Sequence, residues 1–108
     1  MNIQQLTEIV KLTNKRKIMA ELKKLGYIDC AKNKTMRYIN MSDIAGPYTK
    51  STECFATMNG KYEYYGDICT KVKGYEAFEF VVVSVNKVYK EKDLSFPYRV
   101  LVVAKIRI

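Results

Sequence analysis

Histidine is absent from this chain, and so is tryptophan. Without histidine the commonest general base is missing, together with the usual partner of a nucleophilic Ser or Cys and the commonest metal ligand. Histidine-based triads and metal sites are excluded. Cysteine is scarce and odd in number: Cys30, Cys54 and Cys69 never form a C-x-x-C pair. That spacing argues against a disulfide framework and a zinc knuckle, and reads as three reduced packing residues. No Walker A loop or G-x-G-x-x-G fingerprint occurs. Glu63 and Asp67 share a strand face, but at about 3.3 Å per residue they stand about 13 Å apart, wider than the usual acid pair. The E-x-K triplet of Glu21 and Lys23 falls in a helical pattern, not on the strand that a nuclease of that kind uses. The expectation is a protein that is not an enzyme, with no cofactor and no metal.

Long apolar runs are missing too. None approaches the 18 or so residues of a membrane-spanning helix, and "MNIQQLTEIVKLTNKRK" is not a basic region followed by an apolar block. The chain is expected to be cytoplasmic, without membrane contact. There is no internal repeat, low-complexity tract or linker. A composition of 48% hydrophobic and 28% charged residues over 108 positions is that of one folded domain, residues 1–108.

What is present begins with helical spacing. Ile3, Leu6, Ile9 and Val10 recur at three- and four-residue intervals, the stripe of an amphipathic helix over 3–12. Asn14 is placed to cap a second helix through "KRKIMAELKKL". Ile18, Leu22 and Leu25 form one side of it, and Lys15, Arg16, Lys23 and Lys24 mostly the other. Gly26 suits a left-handed stop, and Lys23 and Lys24 suit the negative end of the helix dipole.

From Tyr27 the period falls to two. "YIDCA" and "TMRYINM" are expected to pair as a hairpin around "KNK". After the "AGPY" break, Asn59-Gly60 marks a two-residue type I′ turn that would set Met58 against Lys61, Thr57 against Tyr62 and Phe55 against Tyr64. Phe55, Tyr62 and Tyr64 then share a face, as core or as an exposed stacking platform. "FEFVVVSVNKVYK" carries Phe78, Phe80 and Val82 on one face and Val81, Val83 and Val85 on the other. It reads as a central strand covered on both sides, with Lys87, Tyr89 and Lys90 as solvated gatekeepers against edge aggregation. "PYRVLVVAKIRI" pairs with it antiparallel through "EKDLSF", and Pro97 belongs at a strand start. The fold class is α+β: two N-terminal helices packed on one face of a mainly antiparallel sheet of about five to six strands.

The formal charge of +8 is uneven, since residues 1–35 hold eight Lys or Arg against three acids, a net +5. Such a concentration implies attraction to a polyanion through phosphate neutralisation. The expected function is therefore a small basic, non-enzymatic binding protein that touches nucleic acid or a nucleoprotein. Its candidate contacts are Lys15, Arg16, Lys17, Lys23, Lys24, Lys32, Lys34 and Arg37. The alternative is an inhibitor or adaptor for a single protein partner, of the phage or mobile-element kind exemplified by anti-CRISPR proteins. Such a protein would dock on an acidic or nucleic-acid-binding groove, and nine tyrosines suit an interface.

Two local resemblances bear on this. "LTEIVKLTNKRKIMAELKKLGYIDCAKNKTMRYIN" resembles the second half of a winged helix-turn-helix. That likeness implies a recognition helix opened by Lys15, Arg16 and Lys17, with Lys32, Lys34 and Arg37 on the wing. "FPYRVLVVAKI" is similar to the tyrosine-arginine strand of RelE-like toxins, which cut mRNA on the ribosome, with Tyr98 and Arg99 in the matching places.

Overall fold

The computed structural model describes residues 1–39, 52–89 and 94–107, and their side chains except those of 52–56, 88–89 and 94–99. Asn2 opens helix α1, Ile3–Val10, with a capping box: its side chain accepts from the Gln5 amide and the Gln5 side chain accepts from the Asn2 amide. Asn14 caps α2, Lys15–Lys24, by accepting from the Lys17 amide at 3.2 Å. Gly26, at φ 94, closes α2 as a Schellman stop. Its amide reaches the Lys23 carbonyl and the Tyr27 amide reaches that of Leu22. Leu25 sits at this cap and is exposed, so Ile18 and Leu22 carry the buried apolar side of α2 inward, with Met19 partly buried beside them.

Among the described residues five strands follow, in the order β1-β5-β4-β3-β2, all neighbours antiparallel. They are β1, Ile28–Asp29; β2, Thr52–Asn59; β3, Tyr62–Cys69; β4, Phe78–Tyr89; and β5, Leu94–Ile106. The β4 strand lies in the middle and is covered on both sides, as its doubly apolar pattern requires. On the first face Val81 and Val83 meet Leu6, Ile9, Val10, Ile18 and Leu22 of the helices. On the second, Phe80 and Val82 meet Cys30, Met36, Cys69 and Val72. Each fully buried aliphatic side chain here contributes roughly 1.5–3 kcal/mol relative to exposure. Gly66 sets the height of α1 above the sheet. A Cβ at that position would lie 2.9 Å from Val10 Cγ2 and 3.0 Å from Leu6 Cδ2.

Three expectations are corrected. The segment 27–39 is not a hairpin. After the two residues of β1, which pair with Val103 and Ala104 of β5, the chain folds into 3-10 turns at Cys30–Lys32 and Met36–Tyr38. The cause is local, because Asp29 accepts from the Ala31 amide and Asn33 from the amides of Thr35 and Met36, bonds that compete with a strand ladder. Lys32, Lys34 and Arg37 therefore ride on turns and not on a wing; Asn40, Met41 and the "AGPY" break lie outside the described residues.

The β2–β3 turn is displaced as well: Asn59 pairs with Tyr62 and Thr57 with Tyr64, so Gly60 and Lys61 form the loop. Only Gly60 has positive φ there, at 61, the requirement of a type II′ turn with glycine first, not type I′. Finally, Pro97 is the fourth residue of β5 rather than its start. It is tolerated beside a bulge: Val85 pairs with Arg99 and Asn86 with Pro97, which leaves Tyr98 as the extra residue.

Among the described residues one charge is buried. Glu79, 7% exposed, receives the Met1 ammonium at 3.1 and 3.2 Å and the Tyr27 hydroxyl. Lys105, its cross-strand partner, stands over the Tyr27 ring and donates to the Leu25 carbonyl. Paired in this way, a carboxylate can stay inside a sheet that would otherwise expel it.

Candidate nucleic-acid interface

The two helices stop short of the end of the sheet, and what they leave uncovered is lined by tyrosine. Along β3 the first face reads Ile68, Gly66, Tyr64, Tyr62 by alternation. Ile68 belongs to the aliphatic core and Gly66 lies under α1. Tyr64 is half-buried at the rim of that core, and Tyr62 lies half-buried beyond it. Opposite these rings α2 begins. Thr13, Asn14, Lys15, Arg16, Tyr62, Tyr64 and Val85 together line a cleft of about 470 Å³, with no carboxylate among these described residues. Its width is tied at one corner, where Asn59 Nδ2 in the β2–β3 hairpin donates to Thr13 Oγ1 at 3.1 Å. Thr13 itself, in the turn between the helices, adopts φ 46.

Lys15 also lines a second cleft, of about 350 Å³, at the outer edge of β5. Asp29, Cys30, Ala31, Met36, Arg37, Ile39 and residues 100–102 line the rest, so the lining is mainly apolar. Among the described residues β1 covers β5 only at Val103 and Ala104, and Val100 next to this edge is 41% exposed. Burial pushes the Cys30 thiol up to about 11, with the Asp29 carboxylate adding to the effect, so it is a packing group and not a nucleophile.

The eight expected contact residues are thus sorted into separate places. Lys15 and Arg16 share the tyrosine cleft, and Lys15 shares the apolar one with Arg37. Lys23 and Lys32 meet across a shallow depression at the far end of α2, beside Gly26 and Tyr27. Lys17 and Lys34 are exposed and line none of these hollows. Lys24 pairs with Glu21 at 3.0 Å, and Arg37 stacks on and donates to Tyr38. Reading the sequence alone did not place Tyr62 and Tyr64 opposite Lys15 and Arg16. The usable signal was Gly66, a glycine inside a strand that marks close approach of another element. Lys87, expected to be solvated, is half-buried and registers with Tyr62; the side chain of Tyr89, and Lys90, lie outside the described residues, as do the side chains of Phe55, Tyr98 and Arg99.

Among the described residues no three His, Cys, Asp or Glu side chains gather as a metal site, and no helix is long and apolar enough to cross a membrane. No protein-family model matches the chain, and neither does any curated protein or solved structure.

Proposed function

We propose that this is a small basic binding protein that engages nucleic acid, free or in a nucleoprotein, through the surface around the start of α2. The observation that carries this reading is the tyrosine cleft: two cations, Lys15 and Arg16, face two tyrosines with no carboxylate among the described residues of the lining. Cations so placed keep their charge available for phosphate, and each neutralised phosphate releases counterions. Lys17, Lys23, Lys32, Lys34 and Arg37 extend the positive field around it and steer a polyanion to the cleft. Lys24, already paired with Glu21, contributes least. Anisotropy titrations with labelled single-stranded and duplex DNA and RNA at two salt concentrations test the reading. Binding should weaken steeply with salt and fall in Lys15→Gln and Arg16→Gln. No binding to any of these probes at low salt rules it out.

A second reading, an inhibitor or adaptor for one protein partner, draws support from the other cleft. The apolar lining beside the β5 edge suits an extended segment of a partner adding to that edge. A stoichiometric partner that survives nuclease treatment and high salt, and is lost on Val100→Lys, would favour it over nucleic acid.

A further inference from the structure

The shape of the tyrosine cleft narrows the class of nucleic acid it can take. A duplex-reading helix must enter a major groove about 12 Å wide, and a helix with its side chains is itself about 10–12 Å across. No room is left for a neighbour at the end that inserts. In helix-turn-helix proteins that end is the N-terminal one, whose residues meet the base edges. Here the N-terminal end of α2 does have a neighbour: the β2–β3 hairpin is bonded through Asn59 to Thr13, one residue before the Asn14 cap. Lys15 and Arg16 line a hollow shared with the sheet, so they stand on a concave wall and not on a protruding ridge.

What such a wall can hold is a strand with its bases unstacked. Tyr62 and Tyr64 lie two residues apart on one face, about 7 Å along the strand, and both border the cleft. Aromatic rings beside a cationic track are the arrangement on which successive bases stack while the phosphates meet Lys and Arg, whatever the sequence. We infer that the cleft binds single-stranded nucleic acid in preference to duplex, with bases on the rings of Tyr62 and Tyr64 and phosphates on Lys15 and Arg16. This rests on the polyanion reading above and narrows it.

The test compares a labelled oligothymidylate of about 12 nucleotides with the same strand annealed to its complement, at equal salt. The single strand should bind at least about tenfold tighter. Tyr62→Leu should remove most of that preference and Tyr62→Phe should retain it; Lys34→Gln, outside the cleft, should weaken both probes alike and leave the preference unchanged. The absence of tryptophan adds a readout on the unaltered protein: intrinsic tyrosine fluorescence should be quenched by the single strand and not by the duplex. That measurement decides the matter even if Tyr62→Leu does not fold. Equal or tighter duplex binding overturns the inference, and so does a Tyr62→Leu protein that is folded and unchanged in preference; either leaves the polyanion reading standing. Binding of neither probe overturns the inference, and the polyanion reading falls with it when the RNA probes fail as well.

Discussion

The two faces of this sheet are sealed by different means. The helix-bearing face is aliphatic, with Leu6, Val10, Ile18 and Leu22 fully buried against Val81, Val83 and Val103. The opposite face is closed by 3-10 turns and the loop between β3 and β4, and its core adds sulfur and aromatic groups to Val72, Val82 and Ala104: Cys30, Met36, Cys69 and Phe80, with Tyr75 edge-on to Phe78 and Phe80. Helices present side chains at fixed spacing and demand a matching surface, whereas turns and flexible Met side chains adapt to whatever gap remains. The first face should therefore be intolerant of change and the second permissive.

The largest break is expected from Val83→Asp. Val83 is 1% exposed beneath the helices, so the substitution buries an unpaired carboxylate and costs several kcal/mol, enough to unfold a domain of ~5–15 kcal/mol. Circular dichroism that retained a cooperative melt near the parent temperature would contradict this. Next come matched truncations, Leu22→Ala on the first face and Met36→Ala on the second. The first should cost about 3–5 kcal/mol and the second about 2, because the turn around Met36 can close on the space left. Equal losses in urea titrations would show that the two coverings are equally rigid.

A smaller effect, confined to the helix face, tests how closely α1 approaches. Gly66→Ala should cost about 1–3 kcal/mol by forcing α1 away, and Val10→Ala should recover part of it. Additive losses in the double-mutant cycle would dismiss the clash. The gentlest probe is alkali. Burial, then the hydrogen bond and charge of Glu79, hold the Tyr27 hydroxyl far above its ordinary 10.0, and burial raises Cys30 from 9.0 to about 11. Both groups are thus more easily protonated in the fold than in the unfolded chain. The stability they contribute is intact below pH 9 and is lost as pH rises through their folded values. The melting temperature should fall between neutrality and about pH 10.5, less steeply in Tyr27→Phe and Cys30→Ala; a flat profile in the parent protein refutes the linkage.

How much of this was legible in the sequence depends on whether a signal was local or distant. The α2 boundaries follow from Asn14 and Gly26, and the central strand from alternating apolar residues on two faces. Those signals lie within a few positions of what they specify. The 3-10 turns were misread because "IDCA" and "TMRYI" also fit a period of two, while the hydrogen bonds of Asp29 and Asn33 that decide the matter are not periodic. The tyrosine platform was visible as a shared face, since a register displaced by two residues preserves which side each points to. That it would stand opposite Lys15 and Arg16 was not. Their meeting depends on where α1 comes to rest over Gly66, a property of packing and not of any one segment.

The pairing of Ile28 with Ala104 has a consequence in time. Both helices and the β2–β3 hairpin close through near neighbours and can form in microseconds. The aliphatic side of the helices nevertheless waits for Leu101 and Val103, which arrive on the strand furthest away in the chain. Until β5 is laid down between β4 and β1, the surface that Ile68, Val81 and Val83 offer to Ile18 and Leu22 lacks Leu101 and Val103 and is incomplete. Folding should be governed by that late, distant closure, so that substitutions in β5 slow refolding more than equally destabilising ones in α2.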